Sequence, residues 1–124
     1  MTIKMTNNEI YTNAMALVKS FEDASQRLPI KVNFYIQKNK ATLVALAQEI
    51  EKGRMEILEQ YGKYNEETEQ FEFEPDLAPV LSKELGDLLS LEQEVNIYMV
   101  DIDSFGDDLS LTTGQMEALM FMIN

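Results

Sequence analysis

Four carboxylates fall within the eight-residue run DIDSFGDD, from Asp101 to Asp108. Acids at i and i+2 ahead of a glycine are how calcium-binding loops begin, because closely spaced oxygens must converge on one hard cation. Such a loop also needs an oxygen ligand where Phe105 stands and a bidentate carboxylate where Thr112 stands, and both are missing. The run therefore reads as a strand end leading into a polar loop, and no metal ligands are assigned. Glu84 with Asp87, and Asp101 with Asp103, are the acid pairs that could be asked to do proton transfer. That work needs a buried pair whose surroundings push the two pKa values apart, which spacing alone does not supply. Histidine, cysteine and tryptophan are all absent. The commonest general base, the commonest transition-metal ligand and the thiolate nucleophile go with them. The five glycines stand singly, so there is no phosphate-cradling loop. The expectation is a non-enzymatic protein without catalytic residues or a cofactor.

Charge is more informative. The net charge is −12, and it is unevenly spread: residues 1–63 balance at +2 and residues 64–124 at −14. Glu66, Glu67, Glu69, Glu72, Glu74 and Asp76 form one acidic cluster, and Asp101, Asp103, Asp107 and Asp108 another. A fold that presents them on one side attracts a protein with a basic surface and could imitate a phosphate backbone in a basic groove; plain solubility explains the same charge. Arg27, Lys31, Lys38 and Lys40, with Phe34 and Tyr35 between them, could stack and neutralise a nucleic acid. The whole-molecule charge opposes that, so direct nucleic-acid binding is not expected, and the cluster reads as a solvated flank able to pair internally with the acidic half.

Positioning these groups falls to one dominant element. Leu28 to Gly62 reads as a single amphipathic helix, with Pro29 near its first turn and Gly62 where a left-handed cap would end it. Ile36, Leu43, Ala47, Ile50, Ile57 and Tyr61 form its apolar stripe, and Gly53, close to the stripe, implies a closely packed neighbour. Residues 1–5 suit a short strand, and Thr6 with Glu9 makes a capping box for a helix carrying Ile10, Ala14, Leu17, Val18 and Phe21, fraying near Ser25. After Gly62, Phe71 and Phe73 alternate with Glu72 and Glu74 beyond a polar tip at Asn65 to Glu69. This is a hairpin, or a turn leading into one strand. Pro75 and Pro79 open a helix faced with Leu77, Leu81, Leu85, Leu88 and Leu89. Glu94 to Asp103, apolar on both faces, predicts a central strand between the first strand and the one around Phe71.

Ser104 to Leu111 reads as a loop, and Thr112 with Gln115 makes a second capping box before a terminal helix, Gln115 to Ile123, that is apolar on nearly every side. Its methionines suit adaptable contacts, but burial against the long helix or the sheet explains the same residues and is the favoured reading. A mixture leaves Phe121 or Met122 for a partner or a second copy of the chain, making a homo-oligomer. The sum is one α+β domain over residues 1–124: a long central helix with an antiparallel partner, two shorter helices and a small antiparallel or mixed sheet. No apolar run could span a bilayer, and the first residues lack a secretory pattern, so no membrane association is expected.

The segments KMTNNEIY, LPIKVNFYIQKN, ALAQEIEKGRMEILEQYG and KELGDLLSLEQEV, followed by the apolar terminal helix, resemble in that order a family of short proteins from tailed phages and prophages of Gram-positive bacteria that carries a domain of unknown function. The resemblance implies a phage-borne accessory or structural protein and brings no catalytic residues. Together these readings point to a phage-encoded acidic module that occupies a basic surface of a host or phage protein, as an inhibitor or nucleic-acid mimic acting for example against host defence. Glu66, Glu67, Glu69, Glu72, Glu74, Asp76, Phe121 and Met122 are its candidate contacts. The alternative is a virion morphogenesis component, such as a tail or head accessory protein or assembly chaperone. Either acts in the cytoplasm of the bacterial host or travels with the virion.

Overall fold

The computed structural model describes residues 1–21, 28–105 and 111–124. Ser25, Arg27, Gly106, Asp107 and Asp108, to which the sequence analysis assigned roles, lie outside them. Strand β1 (Thr2–Thr6) hands directly to helix α1 (Asn7–Ser20) through the expected capping box: Thr6 Oγ1 accepts from the Glu9 amide at 3.1 Å, and the Thr6 amide donates to Glu9 Oε1 at 3.2 Å. Two of the backbone donors that a helix start leaves unpaired are thereby satisfied. Helix α2 (Ile30–Tyr61) is the predicted long element, about 48 Å from end to end at 1.5 Å per residue. Pro29 is its N-cap, where the absent N–H costs nothing.

Gly62 does end α2, but not in the left-handed conformation that the sequence suggests. Its backbone is extended (φ −138°, ψ 174°), because it is also the first residue of strand β2 (Gly62–Asn65). What requires glycine is space: a Cβ here would lie 2.6 Å from Phe73 Cδ1 and 3.0 Å from the Glu72 carbonyl oxygen. Strand β2 pairs antiparallel with β3 (Gln70–Phe73), a short 3-10 turn (Pro75–Leu77) follows, and helix α3 (Ala78–Ser90) carries the leucine face. The neighbour expected at Gly53 is Leu88 of α3, although its methyls stand at an ordinary contact distance of 3.5 Å.

The predicted central strand is the main correction. Only Glu92–Asn96 forms a strand, β4, and it pairs antiparallel with β1 alone. β3 belongs to a separate two-stranded sheet. The following residues are apolar on both faces for a different reason: they thread between α2 and the C-terminal segment. Ile97 and Val100 are buried, the Tyr98 backbone is held by a side chain of α2, and Val100 exchanges backbone hydrogen bonds with Met122 and Asn124 at 2.8 Å each. Phe105 is buried in a 3-10 turn (Ile102–Phe105) inside the segment expected to be loop. The second capping box, Thr112 with Gln115, starts helix α4 (Thr113–Leu119), which tightens into a 3-10 turn over Met120–Met122.

The architecture is α+β, with two small antiparallel sheets and helices as the bulk. The core gathers Met5, Ile10, Ala14, Leu17, the stripe Val32, Ile36, Leu43, Ala47 and Ile50, and then Val95, Ile97, Val100, Phe105, Ala118, Leu119 and Met122. Fully burying each large aliphatic side chain contributes roughly 1.5–3 kcal/mol. The stripe of α2 stops there: Ile57 and Tyr61 are only half-buried, and no residue from 51 to 94 is buried. The molecule therefore has a packed end and an open end, joined by the long helix. Among the described residues no helix is long and apolar enough to cross a membrane.

Candidate docking surface

The hairpin stands on the open end, immediately after α2. Its register pairs Gly62 with Phe73 and Tyr64 with Phe71 on one face, and Lys63 with Glu72 and Asn65 with Gln70 on the other. Tyr64 and Phe71 meet edge to face at 5.4 Å, and the base of the hairpin borders open clefts, one of about 470 Å³ lined by Tyr61, Lys63, Phe73 and Leu77 among others. The alternation read from the sequence thus turns the aromatic rings to one side and Glu72 to the other, with Glu74 exposed just beyond the strand. At the tip, Asn65 organises the turn: its Oδ1 accepts from the Glu67 amide at 2.9 Å, and its Nδ2 donates to Glu72 Oε1 at 2.7 Å.

Glu69 closes the turn with φ 56°, the one non-glycine residue in the left-handed region among those described. A side chain there costs about 1–2 kcal/mol against the Cβ clash, a cost glycine would avoid. Glu66, Glu67, Glu69, Glu72, Glu74 and Asp76 are all exposed, and all lie on this hairpin or the 3-10 turn that follows. The fold therefore brings the six acids together. Among the described residues the sole ion pair is Arg54 with Glu51, one turn apart on α2. Among the described residues, Lys31, Lys38 and Lys40 form no ion pair with the acidic half, the internal pairing the sequence allowed. Glu51 is held below the ordinary carboxyl range chiefly by the hydrogen bonds Arg54 donates, at 2.9 Å from Nε, and Arg54 is raised by the same contact.

Phe121 and Met122 do not join this surface. Met122 is fully buried and its Sδ lies 3.3 Å from Asn39 Nδ2, so it is a core residue and cannot serve a partner. Its thioether fills the gap between α2 and the C-terminal turn, as an unbranched, polarisable side chain does well. Phe121 is half-buried against the same core. Gly62, the first residue of the hairpin, follows Asn39 by 23 positions along α2 and its cap, so this region lies roughly 35 Å from the hairpin. Glu84, Asp87, Asp101 and Asp103 are exposed, and among the described residues no group of three or more acids is arranged to hold a metal ion.

Two asparagines the sequence analysis passed over are the buried polar residues among those described. Asn39 brackets a backbone unit: Nδ2 donates to the Tyr98 carbonyl at 2.9 Å, and the Tyr98 amide donates to Oδ1 at 2.8 Å. The side-chain amide takes the place of a neighbouring strand. Asn7 does similar work at the other join, donating from Nδ2 to the Leu88 carbonyl at 2.8 Å and accepting from Gln93 Nε2 at 2.7 Å. Its backbone amide donates to the Leu91 carbonyl at 2.8 Å, so the end of α3 is stapled to the core. Near the start of α2, Phe34 is 52% exposed with the Lys38 ammonium 5.4 Å from its ring centre. Lys31 stands 5.6 Å over Tyr35, whose ring packs tilted at 34° against Tyr98 at 5.1 Å.

Compared with known protein families, with curated proteins and with solved structures, the chain matches none.

Proposed function

We propose that this chain is a phage-encoded, non-enzymatic binding module that docks its acidic hairpin onto a basic surface of a host or phage protein, as an inhibitor or nucleic-acid mimic. The observation that carries the reading is the hairpin itself: six exposed acids on a short two-stranded projection, none in an ion pair with another described residue. Glu69 strengthens it. Strain of about 1–2 kcal/mol is retained where glycine would remove it, and the residue that incurs it carries one of the six charges at the tip. Complementary charge raises association rates and suppresses wrong partners, which suits an inhibitor acting in the host cytoplasm. The phage origin rests on the sequence resemblance alone.

The test is capture of partners by the tagged protein in infected cells, with wild type beside Glu72→Lys/Glu74→Lys/Asp76→Lys and beside Glu69→Gly. The triple reversal is expected to weaken capture at least about tenfold and to leave stability within about 0.5 kcal/mol, because the sites are exposed. Glu69→Gly is expected to stabilise the fold by about 1 kcal/mol while weakening capture, two effects of opposite benefit. Capture indifferent to both variants refutes the reading. A second reading, a virion morphogenesis component, draws on the absence of buried residues between 51 and 94, since assembly would complete packing there. Recovery of virion proteins in the same capture, insensitive to salt, favours that reading.

A further inference from the structure

The long helix carries opposite surfaces at its two ends. Residues 28–48 contain Lys31, Lys38 and Lys40 and no acid, while residues 64–77 contain six acids and no base. Helix α2 itself does nothing to offset this: its first turn holds no acid, its last turn holds no base, and no side chain caps its start. At the positive end, Ile30, Phe34 and Lys38 follow one another at i, i+4 and i+8 along an exposed face. Beside them the Tyr35 ring packs tilted against Tyr98, itself 41% exposed. Lys31 and Lys38 lie over rings and, among the described residues, form no ion pair. A carboxylate arriving here meets ammonium groups held over an apolar floor, where less water competes and the attraction exceeds that of a solvated pair.

From this juxtaposition we infer that the aromatic and lysine face at the start of α2 is a docking site for the acidic hairpin of a second copy of the chain, in a head-to-tail contact. Geometry excludes the same chain as occupant. Lys38 and Gly62 are 24 positions apart, roughly 36 Å along the helix. A four-residue strand reaches only about 14 Å, so the hairpin cannot fold back to its own lysines. A contact between two different surfaces repeats, giving an open series or a ring according to the rotation between copies. The inference rests on the hairpin being a docking element, and it names a second copy of the chain as one surface that accepts it.

The test is sedimentation velocity over a concentration series at about 20 mM and about 500 mM salt, where the screening length falls from roughly 20 Å to roughly 4 Å. Wild type is expected to associate at the low salt, the attraction between the two local faces exceeding the repulsion between two chains of net charge −12, with the association constant falling more than about tenfold at the high one. Lys31→Glu/Lys38→Glu and Glu72→Lys/Glu74→Lys are each expected to remain monomeric alone and to associate as a pair when mixed, since the first keeps the native hairpin and the second keeps the native lysine face. Phe34→Ser, at an exposed position, is expected to weaken wild-type association about tenfold with an unchanged circular dichroism spectrum. A wild type monomeric throughout, oligomers that survive either reversal, or reversals that mixing does not restore would each overturn the inference. Capture of a basic partner is read separately: it requires the hairpin but not Lys31 or Lys38. Lost self-association with capture intact therefore defeats this inference alone, and self-association with capture indifferent to the hairpin defeats the proposed function alone.

Discussion

Replacing Asn39 with alanine removes the side chain that bridges the first third of α2 to both the Tyr98 backbone and Met122. Asn39 is fully buried, and the substitution strips partners from the Tyr98 amide and carbonyl and removes the Met122 thioether contact. A buried polar group left without a partner costs about 1–3 kcal/mol; the Tyr98 backbone is only partly buried, so about 1.5 kcal/mol each is appropriate, or about 3 kcal/mol for the pair. The small cavity left by the amide adds up to about 1 kcal/mol. For a domain of this size a total of about 3–4 kcal/mol lowers the melting temperature by about 10–15 °C. Urea unfolding followed by far-ultraviolet circular dichroism measures it, and hydrogen exchange at the Tyr98 amide should accelerate in step. Tyr98→Ala is the contrast. The bracket holds its backbone, so loss of the half-exposed ring is expected to cost no more than about 1 kcal/mol. An Asn39→Ala loss below about 1 kcal/mol, or a larger loss from Tyr98→Ala, would refute the bracket as the element that fixes this segment.

The two glycines of the long helix and its end predict opposite signs. Gly53→Ala places a methyl 3.5 Å from Leu88 and gains helix propensity, so thermal melting should show stabilisation of about 0.5–1 kcal/mol. Gly62→Ala drives a methyl into the Phe73 ring and should cost about 1–3 kcal/mol, with loss of the hairpin's cross-strand nuclear Overhauser effects. Glu51 is expected to titrate below its ordinary value of 4.5 in a carboxylate-detected NMR titration, and Arg54→Gln should return it upward. Because folding lowers this pKa, the stabilisation is present above the unfolded value and is lost as pH falls through the folded one. The two side chains are 44% and 39% exposed, so Glu51→Gln should change stability at neutral pH by less than about 0.5 kcal/mol.

Elements whose determinants are local were legible in the sequence. Thr6 with Glu9 and Thr112 with Gln115 specify helix starts through hydrogen bonds spanning three residues, and both boxes form. The alternation around Phe71 to Glu74 needs only its own strand, so the acid-bearing face of the hairpin followed from spacing. Non-local pairing did not follow. Ile97 to Val100 looks like a central strand because it is surrounded by apolar neighbours, but those neighbours are a helix and the C-terminal turn, not two strands. The missing clue lay in α2 itself. Asn39 falls at the same three-and-four spacing as Val32, Ile36, Leu43, Ala47 and Ile50, and an asparagine inside an apolar stripe must find a partner for its amide. Met122 was misjudged for the complementary reason, since an apolar terminal helix does not reveal which residues the core takes.

The separation of packed core from charged projection has an energetic consequence. Six like charges on one hairpin repel one another, and because they are exposed the cost is screened in solution and greatest at low ionic strength. No buried residue between 51 and 94 couples that repulsion to the core. The principal staple is Asn7, which holds the end of α3 at Leu88 and Leu91 rather than the hairpin itself. The hairpin can therefore carry repulsion without the fold losing its core, and a basic surface that accepts it removes the repulsion on contact. Low salt, the condition that most destabilises the free hairpin, is also the one in which docking gains most. Under the proposed docking, binding free energy and the charge strain of the unbound hairpin are two expressions of the same crowding of acids, and substitutions that relieve the strain are expected to reduce the affinity with it.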